Sequence, residues 1–249
     1  MPEKRTGLKP SDISVSRLHE LESGASESKN FMEQIAINQS RLLRSVLPAA
    51  LAYEDRLSVQ RLSERMKNGG DAVLSTHSVD EIASASTWLS DTARAWAAMA
   101  VGQIPKMDIV ERLELASVFA ADSHFAVREW AWIAIRPHVA FQLDTSIKEL
   151  NSWCKSESPY IRRFASEITR PRGVWCKHIV QLKENPQLAE SLLDQLSSDN
   201  ARYVQLSVGN WLNDAFKSSP EWVLATCGRW LEKPSAETSF ICKRGRRSL

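Results

Sequence analysis

Residues 122–137 read DSHFAVREWAWIAIRP, and residues 156–171 read SESPYIRRFASEITRP. A shift of 34 positions, from 122 to 156, aligns the two stretches. It brings Arg128 onto Arg162, keeps the apolar positions in phase and ends both stretches in Arg-Pro. The chain therefore contains an internal repeat whose spacing exceeds the length of a single helix.

Two further copies extend the repeat. Residues 199–211 read DNARYVQLSVGNW and follow at a shift of 43 positions, and residues 90–102 read SDTARAWAAMAVG, with Arg94 at the place of Arg128. Periods of this size are typical of stacked supersecondary units. Strand-like alternation is almost absent, so the prediction is an all-α solenoid of HEAT-like helical repeats. Most shared positions are apolar and explain packing, so the repeats predict a fold and not a chemistry.

Composition limits the classes of function. The 249 residues carry a net charge of only +2, which excludes a uniformly basic coat for nucleic acid and requires any such surface to be local. No glycine-rich phosphate loop occurs, and the four cysteines lack the spacing of a metal site, so neither a cofactor nor a metal is expected. No apolar run is long enough for a membrane span. Scattered cysteines without a secretory signal fit a reducing cytoplasm, so a cytoplasmic monomer is expected, nucleoid-associated if it binds DNA.

Local signals predict the organisation. Residues 1–15 are expected to be a flexible arm, and residues 16–249 a single repeat domain. The triplet at 68–70, Asn-Gly-Gly, predicts a turn that ends a helix. A second helix is expected over 79–89, with Ser78 or Asp80 as its cap. The Arg-Pro steps are interpreted as helix ends.

The densest polar constellation is RRFASEITRPRGVW, residues 162–175. On a helix Arg163, Glu167 and Arg170 share one face, and Arg172 and Trp175 follow the proline. One interpretation is an intramolecular Arg–Glu–Arg ladder between repeats. The other is a binding site, because a solvated face does not normally end in tryptophan.

Three more clusters are candidates. Asn210 and Asp214 lie four apart in the third copy, where Asn210 aligns with Glu167. Arg128 and Glu129 lie one turn before Trp132. The run KRGRR at 243–247 either neutralises phosphates or solvates the C-terminus.

The ordered motifs RRFASExTRPRxxW and RYVxxSVxNxLND resemble the HEAT-like-repeat alkylpurine DNA glycosylases, nearer to the AlkC branch than to AlkD. The resemblance covers roughly residues 85–249. It implies a right-handed solenoid that binds duplex DNA containing alkylated bases and excises such bases, typically 3-methyladenine, without a metal or cofactor.

The resemblance also implies roles for single residues. Glu167 and Asp214 are the expected catalytic carboxylates. AlkC-type proteins carry an acidic residue just before the Ala-Ile-Arg-Pro step, where this chain has Trp132. Glu129 lies one helical turn earlier and is therefore a third candidate. The expected DNA-binding residues are Arg128, Arg162, Arg163, Arg170, Arg172, Arg202, Tyr203 and Asn210. The expected lesion contacts are Trp175, Trp132 and Trp211.

Three functional hypotheses remain open on the sequence. The first is a glycosylase for cationic alkylated bases. The second is a non-catalytic DNA-binding paralogue that recognises damaged, bent or branched DNA, and a protein scaffold is a third possibility. Carboxylates embedded among phosphate-binding arginines favour the glycosylase, because a scaffold has no need of them.

Overall fold

The computed structural model describes residues 9–59, 61–173 and 175–248. These residues form α-helices joined by short loops and 3-10 turns, and no strand occurs within these ranges. The helices are α1 Val15–Glu22, α2 Phe31–Ala36, α3 Gln39–Val46, α4 Leu62–Thr76, α5 Val79–Ser84, α6 Asp91–Gln103, α7 Ile109–Ala120, α8 Phe125–Phe141, α9 Leu143–Trp153, α10 Pro159–Ile168, α11 Val180–Glu184, α12 Glu190–Leu196, α13 Arg202–Phe216, α14 Pro220–Trp230 and α15 Ala236–Gly245. The 3-10 segments are Pro10–Asp12, Pro48–Ser58, Ala85–Thr87 and Pro186–Ala189.

Polar side chains start many of these helices. Asn30 accepts hydrogen bonds from the backbone of Met32 and Glu33, and Ser90 accepts one from Ala93. Such caps satisfy amide groups that the first helical turn leaves without a partner. The four repeat copies coincide with the starts of α6, α8, α10 and α13, so the predicted repeats correspond to helices of the fold.

The chain divides into two compact units. The first holds residues 1–105 and 123–131, and the second holds 106–122 and 132–249. In the second unit α10, α13 and α15 lie side by side and carry most of the candidate residues. None of the described helices is long and apolar enough to cross a membrane.

The turn predicted at 68–70 is wrong. Helix α4 runs through it without a break, because Gly69 and Gly70 are the points at which α4 meets α6. A Cβ atom at Gly69 would overlap the Trp96 ring, and one at Gly70 would lie 2.9 Å from Cβ of Met99. The glycines serve close helix packing here, and tertiary contact overrides the local turn signal.

Three other local predictions are resolved. Ser78 caps α5 in a capping box with Glu81, and the helix continues as a 3-10 turn to Thr87. Pro137 lies inside α8, so the first Arg-Pro step does not end a helix, whereas the second follows the end of α10. Of the predicted arm, residues 1–8 lie outside the described residues, and Pro10–Asp12 already forms a 3-10 turn.

Candidate active site

The site is built where α10 packs on α13. Small and apolar residues line both helices, and the buried hydroxyls of Ser166 and Ser207 lie 2.8 Å apart. The indole of Trp211 donates to the carbonyl oxygen of Thr169 over 3.0 Å. These two cross-helix contacts set the register of α13 against the end of α10, and they turn Glu167 toward α13.

Glu167 is buried and fully engaged. One carboxylate oxygen accepts from Arg170 Nη1 at 2.6 Å, and the other accepts from Ser207 Oγ at 2.6 Å and lies 3.5 Å from Arg163 Nη2. Burial works to raise the pKa of this carboxyl, but Arg163, Arg170 and the Ser207 hydroxyl together hold the pKa below its ordinary value. Glu167 is therefore ionised, and these donors fix the position of its carboxylate.

Arg170 joins the two carboxylates. Its Nε and Nη2 lie 2.9 and 2.8 Å from Oδ2 of Asp214, while its Nη1 reaches Glu167. Burial alone would lower the pKa of Arg170, but the two carboxylates raise it. Burial is also the largest influence on Asp214, and it raises the pKa of that carboxyl despite Arg170. The predicted Arg163–Glu167–Arg170 ladder exists, and it extends across the repeats to Asp214.

The two oxygens of Asp214 differ. Both Arg170 contacts go to Oδ2, and within the described residues no hydrogen bond reaches Oδ1. Arg172 approaches from the loop and donates from Nε to the backbone carbonyl of Asp214 at 3.1 Å. Asp214 thus keeps one carboxylate oxygen for a ligand or water, whereas both oxygens of Glu167 are occupied by protein donors.

Exposed and cationic groups lie on α10, α13 and α15 and on the loop that follows α10. Trp175 is 69% exposed after the end of α10. The guanidinium of Arg163 stacks on the Tyr203 ring at 4.3 Å, and that of Arg202 lies 3.2 Å from the centre of the Phe240 ring. Asn210 accepts hydrogen bonds from two arginines of the C-terminal segment.

The repeat arginines Arg128 and Arg162 have a structural task. In each copy of the repeat the side chain at this position donates to a backbone carbonyl five or six residues earlier and so closes the loop before its helix. The bonds run from Arg94 to Trp88 and Leu89, from Arg128 to Ser123, from Arg162 to Ser156 and Glu157, and from Gln205 to Asp199. Arg162 also pairs with Asp199, whose side chain is 5% exposed. These contacts account for the recurrence of the arginine without DNA.

Two predicted lesion contacts lie in the core. Trp211 is fully buried and packs against Trp222, and Trp132 is 3% exposed. Side chains enclosed in this way cannot touch a bound nucleotide in this conformation, so the structure contradicts both predictions. Glu129 is half-buried and belongs to the first unit.

Sequence reasoning missed Arg136. Its guanidinium is buried and donates to the carbonyl oxygens of Ile168, Arg170 and Lys177. It therefore closes the C-terminal end of α10, where cations are favoured, and holds the loop that carries Trp175. The available signal was the alignment of Arg136 with Arg170, which marked a repeated arginine at the end of each copy. No local signal marked Ser207.

Part of the chain that holds these features is similar to a known family. Residues 129–236 match the model of the DNA alkylation repair enzyme family. The uncharacterized protein YhaZ of Bacillus subtilis (strain 168) is 33% identical over 146 residues, which is 57% of this chain and 40% of that protein. This chain therefore spans less than half the length of that relative.

Two solved structures share the fold. The alkylpurine DNA glycosylase AlkC of Pseudomonas fluorescens, bound to DNA containing an abasic site analog, superposes with a TM-score of 0.68 at 23% identity, over 98% of this chain and 65% of that one. AlkD2 of Streptococcus mutans superposes with a TM-score of 0.62 at 21% identity, over 80% and 96%. The all-α fold of HEAT-like repeats is thus confirmed. Residues 129–236, which hold Glu167, Arg170 and Asp214, are similar to the DNA alkylation repair enzyme family.

Proposed function

We propose that this protein is a DNA glycosylase that hydrolyses the N-glycosidic bond of cationic alkylated bases, such as 3-methyladenine, in duplex DNA. One observation carries the proposal. Asp214 is held by Arg170 through Oδ2 alone, while its other carboxylate oxygen has no hydrogen bond from the described protein groups. A carboxylate fixed through one oxygen and available through the other suits a group that must face a developing cation.

The chemistry needs little more than such a carboxylate. Alkylation at a ring nitrogen gives the base a positive charge, so the base leaves without a general acid. Departure of the base leaves an oxocarbenium-like sugar, as in glycoside hydrolysis. Asp214 near C1′ stabilises this cation and accepts a proton from the water whose oxygen bonds to C1′. Glu167 acts as a positioning residue because it holds Arg170 against Asp214. Neutral bases leave slowly, so cationic lesions are selected.

Single-turnover release of 3-methyladenine from duplex DNA tests the proposal, with a binding isotherm at the same salt concentration. Asp214→Asn keeps the shape of the side chain and removes its charge. We expect base release to slow by about 10²- to 10³-fold, with DNA affinity equal or higher because a negative charge near phosphates is lost. Normal release by this variant would show that Asp214 is structural.

A non-catalytic DNA-binding paralogue is the second candidate. It is favoured by the ion pairs that engage both carboxylates with Arg170 and by the tryptophan at position 132, where the resemblance leads one to expect an acid. This candidate predicts that the wild-type protein binds alkylated duplex and releases no base.

A further inference from the structure

Arg244 on helix α15 and Arg247, two residues after its end, both contact one neutral oxygen on α13. Oδ1 of Asn210 accepts from Nε of Arg244 and from Nη1 of Arg247, each over 3.0 Å. An arginine side chain only donates, so the amide must present its oxygen to the pair. Two guanidinium groups are therefore collected on an acceptor that carries no charge.

The packing around this pair fixes its geometry. The stem of Arg244 lies flat across Gly209, where an added Cβ would be 2.9 Å from Cβ and Cδ of the arginine. Asn213 donates to the carbonyl oxygen of Gly245 and to the hydroxyl of Ser248, which holds the end of α15. The arginine pair is thus part of the α13–α15 packing and not a loose tail.

The pair carries charge that nothing in the described protein neutralises. No carboxylate among the described residues lies within ion-pair distance of Arg244 or Arg247, although other arginines of the second unit have such partners. The pKa of Arg244 is lowered by burial and by the nearby cations Arg247, Arg202 and Arg170. Like charges held together raise the free energy of the empty site, and a bound anion relieves that repulsion.

The internal repeat shows how the Asn210 site on α13 differs from the Glu167 site on α10. Asn210 occupies the position that Glu167 has one repeat earlier. On α10 the glutamate neutralises the arginines around it, whereas on α13 the amide gathers arginines and leaves their charge intact. The same position in the repeat therefore neutralises the arginines on α10 and leaves the charge of the arginines at α13 uncompensated.

We propose that Arg244 and Arg247, assembled on Asn210, form a phosphodiester-binding site for the DNA backbone, with Asn210 as the positioning residue. The inference rests on the proposed function for the choice of DNA as the source of the phosphate. Two guanidinium groups match the oxygens of a phosphate by paired, charge-assisted hydrogen bonds. The contact is independent of the base, so the site engages undamaged and alkylated DNA alike.

Asn210→Asp is the decisive variant. It keeps Oδ1 as an acceptor for both arginines and so preserves their positions, but it supplies the negative charge that the phosphate would bring. A purely structural role for Asn210 predicts unchanged or higher protein stability and unchanged DNA binding. The phosphate site predicts unchanged or higher stability together with about ten- to hundredfold weaker binding to undamaged duplex. The slope of log affinity against log salt should also fall by about one unit.

Asn185→Asp is the matched control, because it makes the same substitution at an exposed position after α11 and should leave DNA binding unchanged.

A second readout separates this inference from the proposed function. Inorganic phosphate, compared with chloride at equal ionic strength, should raise the melting temperature of the wild type and of Asn185→Asp but not of Asn210→Asp. Loss of phosphate stabilisation in Asn210→Asp supports the site even if the wild type releases no base. Equal DNA binding and equal phosphate stabilisation in the two variants would overturn it.

Discussion

The arginines of this chain have different roles, and each role depends on the group that the guanidinium contacts. Arg162 is held by Asp199 and by the loop before α10, and Arg170 is held between Glu167 and Asp214. Arg202 and Arg247 have aromatic or neutral amide partners instead. Only the second kind keeps its charge available to an incoming anion, so the expected DNA contacts move from the paired arginines to these.

Glu167 should make the stability of the protein depend on pH. Because its pKa lies below the ordinary 4.5, its ionised form stabilises the folded state above that pH, and this stabilisation is lost as pH falls through the lowered pKa. Glu167→Gln should therefore reduce the free energy of unfolding at pH 7 by on the order of 3 kcal/mol. The difference from wild type should vanish under acid conditions. Urea unfolding between pH 3 and 7 measures both.

The control for Glu167 is Glu190→Gln. Glu190 pairs with Arg229 on the surface, where both side chains are substantially exposed. Such a pair contributes less than about 1 kcal/mol, so this variant should follow the wild-type curve closely. A gap between Glu167→Gln and wild type that stays constant down to pH 3 would contradict the assigned ionisation of Glu167.

Trp175 should contribute to DNA binding and not to the stability of the fold. With 69% of its surface exposed, its removal opens no cavity, so Trp175→Ala should melt at the wild-type temperature. If the indole packs on a nucleotide, affinity for alkylated duplex should fall by about tenfold. The buried Trp211 is the comparison, since Trp211→Ala should lose about 3 to 5 kcal/mol of stability. A large melting shift in Trp175→Ala would assign Trp175 to the core instead.

At the level of helices, the sequence predicted well what recurs along the chain. The repeat identified the starts of α6, α8, α10 and α13, because apolar phase and the loop-closing arginine are both local features. The predicted break at Gly69-Gly70 was wrong, since the reason for two glycines lies on α6. The face shared by Glu167 and Arg170 followed from helical spacing. The ion pair of Arg170 with Asp214 did not, because it depends on the register of α10 against α13.

Substitution by alanine should have opposite effects on stability at two helical glycines, Gly69 and Gly228. A Cβ at Gly69 would collide with the Trp96 ring, so Gly69→Ala should destabilise the protein by about 1 to 3 kcal/mol despite the better helix propensity. Gly228 lies in α14 with nothing within 4 Å of the added atom. Gly228→Ala should therefore stabilise the protein by up to about 1 kcal/mol. Thermal unfolding compares the pair, and stabilisation by both substitutions would show that α4 and α6 do not approach closely.

For the molecule as a whole, charge is almost balanced, with a net value of +2. Ion pairs such as Arg17 with Glu33 and Arg94 with Glu27 cancel much of the positive charge locally. A field strong enough to attract DNA must therefore come from places where cations outnumber carboxylates. In the second unit the segment at 243–247 and Arg202 provide such a place.

DNA affinity should accordingly depend on a few arginines and steeply on salt. Log affinity should fall with log salt by about 0.9 per phosphate neutralised. Arg202→Ala should lower this slope by about one unit at little cost in stability, because Arg202 is exposed and has no carboxylate partner among the described residues. Arg162→Ala should leave the slope unchanged but reduce the free energy of unfolding by about 3 to 5 kcal/mol, because it leaves the enclosed Asp199 carboxylate without its cationic partner. Titrations of one undamaged duplex at several salt concentrations, with urea unfolding of the same preparations, separate the two effects. The reverse pattern, a lower slope for Arg162→Ala and none for Arg202→Ala, would show that the repeat arginines face the DNA after all.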